Sequence, residues 1–221
     1  GRQLVLDEPG FDRFIMSSNN ISPKAGYDLI TTIELKYQDV IEKALLRQLE
    51  IYEAKFGTAI LMSVKTGEIK AIANLTKTED NKYAETYNYG AAFQYEPGST
   101  FKLASIMAYF EDFNGDINDT IDCKNGNYKF KGAPIPTLDS EKLGLVTLRE
   151  AFSKSSNVGI GRLITNKYNS SPKKFISRIY DFGINEKSKI DLEKIPEPKI
   201  PLPGSKSWSG ISLPWMSYGY G

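Results

Sequence analysis

The sequence predicts an α+β fold in which an antiparallel sheet is backed by helices. Three observations lead to this prediction. A short β-branched run precedes a long helical pattern, two apolar runs are then joined by a turn, and most later segments have helical spacing. The order strand, helix, hairpin and then a series of helices is typical of α+β domains. A chain of 221 residues is also long enough to bury a substantial core.

The first half of the chain is expected to form a connector, a strand, a helix and a hairpin. Turn-forming residues dominate 1–27, which we interpret as a connector from an upstream region, and 28–221 as the domain itself. The β-branched run 29–33 predicts a strand, and apolar residues at helical spacing predict a helix over 34–54. The hairpin comprises a first strand covered on both faces, a turn and a returning strand, at 58–64, 65–68 and 69–73.

The second half is expected to be mainly helical. One helix begins near Ser99 and is buried along a side that carries Leu103, Ile106, Met107 and Phe110. The polar stretch 112–146 contains only short strand-like pieces. A capping-box pattern, a Ser-Ser-Asn break and a Ser-Pro start then predict three further helices, near Thr147, after Asn157 and at Ser171. An extended proline-rich stretch, 196–203, follows them.

The composition excludes several classes of function. Lys and Arg total 28 against 27 for Asp and Glu, so the chain lacks the basic excess of a general nucleic-acid binder. Histidine is absent, which removes every Ser-His and Cys-His dyad and most zinc sites. The single cysteine, Cys123, forms no intrachain disulfide and has no histidine to activate it. Hydrolytic or acyl-transfer chemistry must therefore use Ser, Thr, Lys, Tyr or a carboxylate.

A serine can be activated by a lysine one helical turn away, because residues i and i+3 share a helix face. The S-x-x-K pattern occurs at Ser99–Lys102, Ser170–Lys173 and Ser171–Lys174. The last two straddle Pro172 and indicate helix caps followed by a solvated face. Ser99 follows a glycine and begins a partly buried helix, which favours function there. A plain helix cap with a surface lysine remains the alternative at this point.

Two further strings add to this set. Ser155-Ser156-Asn157 fits S-x-N, in which a serine and an amide face one cleft, although a helix break with capping side chains has the same pattern. Residues 17–20 also fit S-x-N, but they lie in the connector. Lys65-Thr66-Gly67 is interpreted as a hairpin turn rather than an active-site motif, because it precedes the nucleophile.

On these residues the chain resembles the class B penicillin-binding proteins. S-x-x-K, S-x-N-type and K-T-G strings are active-site motifs of penicillin-binding proteins and related β-lactamases. The segment Glu96–Lys102 is very close to the family's nucleophile segment, and Ser155–Gly159 matches its second motif. The similarity covers about residues 26–221. Residues 103–105 and 213–217 look most like the division-specific members.

The resemblance implies a penicillin-binding-protein/β-lactamase-like transpeptidase fold and peptidoglycan D,D-transpeptidase activity in cell wall synthesis at cell division. Ser99 would be the nucleophile, Lys102 its base, Ser155 a proton relay to the leaving group, and Asn157 a ligand of the substrate amide. No cofactor or metal is implied. The implied partners are peptidoglycan stem peptides, β-lactam antibiotics, divisome proteins and glycan-polymerase membrane proteins. The implied location is the extracytoplasmic (periplasmic) face of the bacterial inner membrane, with an anchoring helix upstream of this chain.

One departure from the family pattern stands out: no K-T-G follows Asn157. In the family that strand lines the cleft, binds the substrate carboxylate and supplies one oxyanion-hole N–H. Loss of one such donor lowers rates by about 10²–10³-fold. We therefore expect the C-terminal strands to be missing and the chain by itself to be poorly active or inactive. The alternative functions are a serine β-lactamase or D,D-carboxypeptidase, and a non-catalytic penicillin-binding sensor or scaffold module.

Overall fold

The computed structural model describes residues 26–190, 192 and 195–220, together with the backbone of two short strands at 4–6 and 12–14. The chain divides into two units, Gly1–Lys77 and Thr78–Gly221. The connector predicted for 1–27, with the S-x-N strings at 17–20, lies largely outside the described residues. In the part of the chain that the structure describes, no helix has both the length and the apolar composition needed to cross a bilayer.

The first unit contains one helix and two antiparallel strand pairs. β1 (Leu4–Leu6) pairs with β2 (Asp12–Phe14), which the turn-rich sequence did not predict. The predicted helix and hairpin are confirmed as α1 (Leu35–Ile51), β3 (Phe56–Met62) and β4 (Ile69–Lys77). The predicted strand at 29–33 is wrong, because these residues have no regular structure and Leu29 and Ile30 are 87% and 95% exposed. β propensity depends on packing, and this run is not packed.

The β3–β4 hairpin has the expected turn but not the expected burial. Lys65-Thr66-Gly67 lies in the turn, where Gly67 has φ 74° and its N–H donates to the Ser63 carbonyl. This confirms that the K-T-G string here is a turn. α1 packs at the start of β3, while Ile60, Leu61 and Met62 near its end are 37–54% exposed. The prediction that both faces of this strand are covered is therefore wrong.

The second unit is mainly helical. It has two antiparallel strand pairs, Thr120–Asp122 with Leu145–Thr147 and Asn127–Tyr128 with Thr137–Leu138. In chain order its elements are β5 (Tyr83–Ala84), α2 (Tyr89–Ala92), a 3₁₀ helix (Gly98–Phe101), α3 (Lys102–Phe113), β6 (Thr120–Asp122), a 3₁₀ helix (Lys124–Gly126), β7 (Asn127–Tyr128), β8 (Thr137–Leu138), β9 (Leu145–Thr147), α4 (Leu148–Ser153), α5 (Asn157–Tyr168), α6 (Pro172–Asp181) and α7 (Ser212–Ser217). The three later helices were predicted, whereas the six-residue α7 was not.

Helix α3 buries only part of the predicted stripe: Ile106 is buried and Phe110 packs against the core, whereas the other two residues are exposed. Its buried residues are Lys102, Ala104, Ser105, Ile106, Ala108 and Tyr109. Leu103 and Met107 are 55% and 40% exposed, so the expectation that they bury the helix is wrong. The small residues Ala104 and Ala108 belong to the buried core cluster instead.

Helix α5 lies at the centre of the second unit. Its Val158, Ile160 and Ile164 side chains have no exposed surface. At its far end, the Tyr168 hydroxyl donates to the Ala108 carbonyl at 2.8 Å and lies 2.8 Å from the Asp112 carboxylate, both on α3. These contacts fix α3 and α5 relative to each other. The N-termini of these two helices carry the residues of the candidate site.

Candidate active site

The nucleophile pair lies at the junction of a 3₁₀ helix and α3. Ser99 is the second residue of the 3₁₀ helix, and Lys102 is the first residue of α3. The three-residue spacing brings Lys102 Nζ to 3.1 Å from Ser99 Oγ. The Lys102 side chain is only 1% exposed, which rules out the alternative of a surface lysine. The contact and the burial are those expected of a serine–lysine pair at this S-x-x-K string.

Ser155 meets the same lysine from the segment that precedes α5. Lys102 Nζ donates to Ser155 Oγ at 2.8 Å and to the Ser155 carbonyl oxygen at 2.5 Å. Ser155 has φ 55°, a left-handed conformation that is unfavourable for a serine. Non-glycine residues retain such conformations where the surrounding structure enforces them, and they cluster at functional sites. Two acceptors of one residue thus hold the amine that faces Ser99.

These contacts define how a neutral Lys102 would be oriented. An ammonium has three N–H donors, and Lys102 has three oxygen neighbours for them. A neutral amine has two donors and one lone pair. The Ser155 carbonyl can only accept, so it retains one N–H, and with Ser155 Oγ taking the other, the lone pair faces Ser99 Oγ. In that state the Ser99 hydroxyl donates to Lys102, which is the geometry of a general base.

The environment of Lys102 favours this neutral state. Burial lowers the pKa of Lys102 from 10.5 to about 8, because an ammonium loses hydration in the interior. The Asp139 carboxylate opposes this effect in part, since a nearby negative charge raises the pKa of the amine. With a pKa of about 8, a useful fraction of the amine is neutral at neutral pH.

Asp139 is a residue of the site that the sequence analysis did not identify. Its carboxylate accepts hydrogen bonds from the Ser156 hydroxyl at 2.6 Å and from the Asn157 N–H at 2.8 Å. The Val158 N–H is 3.3 Å from it. Ser156 in turn caps α5 by accepting from the Gly159 N–H at 2.8 Å. The carboxylate therefore satisfies free N–H groups at the positive end of α5 and fixes the Ser-Ser-Asn segment.

The structure confirms the capping interpretation of the S-x-N string and also brings its first serine to Lys102. Ser156 is the helix cap, while Ser155 contacts Lys102. Asn157 is the first residue of α5, and its Oδ1 is buried with no hydrogen-bond partner in the described part of the chain. A buried acceptor without a partner is costly to the folded protein. Asn157 makes none of the hydrogen bonds that join Ser99, Lys102 and Ser155.

The other candidates are structural. Lys173 and Lys174 are exposed, as predicted, whereas Ser171 stands at the N-cap of α6 without the capping side-chain bond that the prediction implied. Cys123 is fully buried, and burial raises the pKa of its thiol, which disfavours a thiolate nucleophile. Across the described residues, no group of three or more His, Cys, Asp or Glu side chains is placed to bind a metal.

Comparison with known sequences identifies relatives of this chain. Residues 57–221 match the penicillin binding protein transpeptidase domain family. The chain is 27% identical to the probable peptidoglycan D,D-transpeptidase PenA of Neisseria meningitidis, over 93% of this chain and 35% of that protein. It is 26% identical to the peptidoglycan D,D-transpeptidase FtsI of Escherichia coli, over 99% of this chain and 37% of that protein. The chain spans little more than a third of the length of these relatives.

Solved structures share the fold. The apo structure of the TP domain of penicillin-binding protein 3 from Burkholderia pseudomallei superimposes with a TM-score of 0.71 at 25% identity, covering 90% of this chain and 55% of that one. A peptidoglycan glycosyltransferase from Burkholderia ambifaria gives a TM-score of 0.71 at 27% identity, covering 86% of this chain and 56% of that one. The fold predicted from the sequence resemblance is confirmed.

Proposed function

Because the chain belongs to the penicillin-binding-protein transpeptidase family, we propose that it supplies the nucleophile of a peptidoglycan D,D-transpeptidase that acts in cell wall synthesis at division. The observation that carries this proposal is the contact of one buried lysine amine with both Ser99 Oγ, at 3.1 Å, and Ser155 Oγ, at 2.8 Å. The two relatives described above have D,D-transpeptidase in their names.

In the proposed acylation step, Ser99 Oγ attacks the penultimate D-Ala carbonyl of a stem peptide. Neutral Lys102 accepts the Ser99 proton as the O–C bond forms, and the carbonyl becomes an oxyanion. The C–N bond to the terminal D-Ala then breaks. Its nitrogen takes a proton that returns from Lys102 through the Ser155 hydroxyl, for which the 2.8 Å contact between them provides the path. The products are free D-Ala and an ester on Ser99.

In the proposed second step, an amine of another stem peptide attacks this ester. The amine loses a proton to the Lys102–Ser155 pair, a new amide forms, and Ser99 recovers its hydroxyl proton. Asn157 would bind a backbone or side-chain amide of the first stem peptide, for which its unpartnered Oδ1 is a suitable acceptor. A β-lactam would acylate Ser99 in the same way, since its strained amide replaces the D-Ala–D-Ala bond.

The test is intact-mass spectrometry of the full-length protein after incubation with a penicillin. We expect one penicilloyl adduct on the wild type and none on Ser99→Ala. The matched control is Ser171→Ala, whose serine has the same spacing to a lysine but an exposed environment; it should carry the adduct. The assignment of Ser99 as the nucleophile would be wrong if the wild type formed no adduct or if Ser99→Ala formed one.

The lifetime of the adduct separates the proposal from its alternatives. A transpeptidase without its acceptor amine should retain the acyl group for many minutes, whereas a β-lactamase should release it and turn over. Release of D-Ala with water as the acceptor would identify a carboxypeptidase. A stable adduct in a protein that fails to cross-link stem peptides would favour the sensor module.

The acylation rate of Ser99 is expected to rise with pH and to level off above about pH 8. The reason is that Lys102 must be neutral to accept a proton, and its pKa is lowered to about 8 by burial. The rate should fall tenfold for each pH unit below this midpoint. The second-order acylation rate constant, measured from pH 6 to 10 and corrected for β-lactam hydrolysis, checks this. A rate that keeps rising to pH 10 would mean that Lys102 is not desolvated.

The proposed location and partners follow from the substrate. Peptidoglycan stem peptides are cross-linked outside the inner membrane, so we place this domain on the periplasmic face. Divisome and glycan-polymerase membrane proteins are its proposed partners there. Loss of septal localisation of a fluorescent fusion when division is blocked would support the division role, and uniform envelope localisation in dividing cells would argue against it.

A further inference from the structure

Two glycines meet at the base of the nucleophile. The Gly98 N–H donates to the Gly219 carbonyl at 3.0 Å. A Cβ on Gly219 would lie 1.9 Å from the Gly98 carbonyl oxygen and 2.5 Å from its carbon. Non-bonded atoms do not approach this closely, so the two main chains are in contact with no space for a side chain. Gly219 therefore touches both peptide units that flank Gly98.

One of these peptide units carries the amide of the nucleophile. The Gly98 carbonyl and the Ser99 N–H belong to one planar group, so the position of the carbonyl oxygen fixes the direction of the N–H. As the second residue of a 3₁₀ helix, Ser99 has an N–H with no acceptor within that helix. Backbone N–H groups beside a nucleophile stabilise the oxyanion that forms in acyl transfer. Displacing the Gly98 oxygen would re-aim this donor.

The segment that presents Gly219 is itself fixed to α3. The Ser105 hydroxyl donates to the Ser217 carbonyl at 2.7 Å, and the Ser217 hydroxyl donates to the Pro214 carbonyl at 2.6 Å. Both serines have no exposed surface. Ser105 lies one turn along α3 from Lys102, so the same helix holds both the end of α7 and the lysine. A buried polar connection of this kind holds the contact in one place.

A simpler role for Gly219 is that of a helix C-terminal glycine. Its φ is 93°, its N–H donates to the Met216 carbonyl, and the Tyr220 N–H donates to the Trp215 carbonyl, which is the Schellman pattern after α7. That role requires a left-handed residue, which Asn can also supply. It does not require the absence of a side chain, whereas the contact with Gly98 does.

We propose that Gly219 is a positioning residue of the acylation reaction: its bare Cα and its carbonyl set the orientation of the Gly98–Ser99 peptide and hence of the Ser99 N–H as an oxyanion donor. This inference rests on the proposed acyl-transfer function. It concerns the rate of bond formation and not the binding of substrate.

The test compares Gly219→Ala and Gly219→Asn with Gly204→Ala and Gly204→Asn in the full-length protein. Gly204 has nearly the same φ, 95°, but nothing within 4 Å of its Cβ position, so its variants report the backbone strain alone. We measure the acylation rate constant at saturating penicillin and, separately, the dissociation constant of the non-covalent complex. Both Gly219 variants should acylate at least tenfold more slowly, up to the ~10³-fold loss of an oxyanion donor. Their dissociation constants should change by no more than about threefold, because an oxyanion donor acts on the charge that develops in the transition state and not in the non-covalent complex.

The outcomes separate the two roles. The pH midpoint of acylation should be unchanged in the Gly219 variants, because Lys102 is untouched. If Gly219→Asn acylates as fast as Gly204→Asn, Gly219 is a helix terminus only and the inference fails. Should both Gly219 variants unfold, Ser105→Ala, which releases the Ser217 carbonyl, is expected to slow acylation in the same direction by a smaller factor; an unchanged rate would again overturn the inference.

A failure of the proposed function is distinguishable from a failure of this inference. If the wild type forms no adduct on Ser99, the function fails. A crystal structure of Gly219→Ala then still decides the local claim: a rotated Gly98–Ser99 peptide supports it, and an unmoved peptide contradicts it.

Discussion

Replacement of Lys102 by methionine is expected to slow the acylation of Ser99 by about 10²–10⁴-fold, the range over which a positioned general base contributes. Lys102 Nζ is the basic group in hydrogen-bond contact with Ser99 Oγ, and burial keeps much of it neutral near pH 8. Methionine has a similar length and fills the buried site without a desolvated amine, so the protein should remain folded. Stopped-flow or quenched acylation with a fluorescent penicillin measures the rate.

The matched control for this experiment is Lys173→Met. Lys173 stands three residues after Ser170, so it repeats the S-x-x-K spacing, but its side chain is exposed on α6. This variant should acylate at the wild-type rate. The assignment of Lys102 as the base would be wrong if Lys102→Met acylated within about tenfold of wild type, given the expected range. Loss of the pH dependence near pH 8 in Lys102→Met would tie that dependence to this lysine.

Replacement of Asp139 by alanine is expected to destabilise the protein by about 2–4 kcal/mol. The substitution removes the acceptor of the Ser156 hydroxyl and of the Asn157 N–H, and Ser156 is only 1% exposed. Hydrogen bonds to a charged group contribute about 1.5–3 kcal/mol, and the carboxylate also interacts with the N-terminus of α5 for up to ~1 kcal/mol. In the variant, water can bond to the more exposed of these N–H donors, which reduces the loss of stability below the sum of these contributions. Urea denaturation measures the free energy of unfolding.

The same variant should also change the site in a second, separable way. Asp139 raises the pKa of Lys102 against the effect of burial, so its removal should move the pH midpoint of acylation below about 8. Asp80→Ala is a suitable control, because Asp80 is an exposed acid whose contacts, with Thr78 and Lys82, are local. Asp80→Ala should keep the wild-type midpoint and unfolding transition. A stable Asp139→Ala with an unshifted midpoint would contradict both roles given to the carboxylate.

Local patterns in the sequence determined most of the helices and the nucleophile pair. Thr147 and Glu150 form the helix start that their pattern predicts, with the Glu150 N–H donating to the Thr147 hydroxyl. Lys102 follows Ser99 by one helical turn, so a helix start alone brings the two side chains together. Such features depend on residues a few positions apart, whose geometry the helix itself sets. The Lys65-Thr66-Gly67 turn was predictable for the same reason.

Features that depend on distant packing were not predictable in this way. The run at 29–33 has strand-forming residues but is not packed as a strand. In α3, helical periodicity could not show that Ile106 would be buried while Leu103 and Met107 stay exposed. The short helix α7 follows a proline-rich stretch and contains Pro214, so its pattern was too brief to recognise.

The α+β class, the family resemblance and the candidates Ser99, Lys102, Ser155 and Asn157 could all be read from the amino-acid sequence. The contact of Ser155 with the amine of Lys102, 53 residues away, depends on how the chain packs. The same is true of Asp139 at the start of α5 and of Gly219 against Gly98. Caps, turns and helix faces are set by neighbours in the chain. The burial that lowers the pKa of Lys102, and the close approach of two main chains, arise only when distant segments pack together.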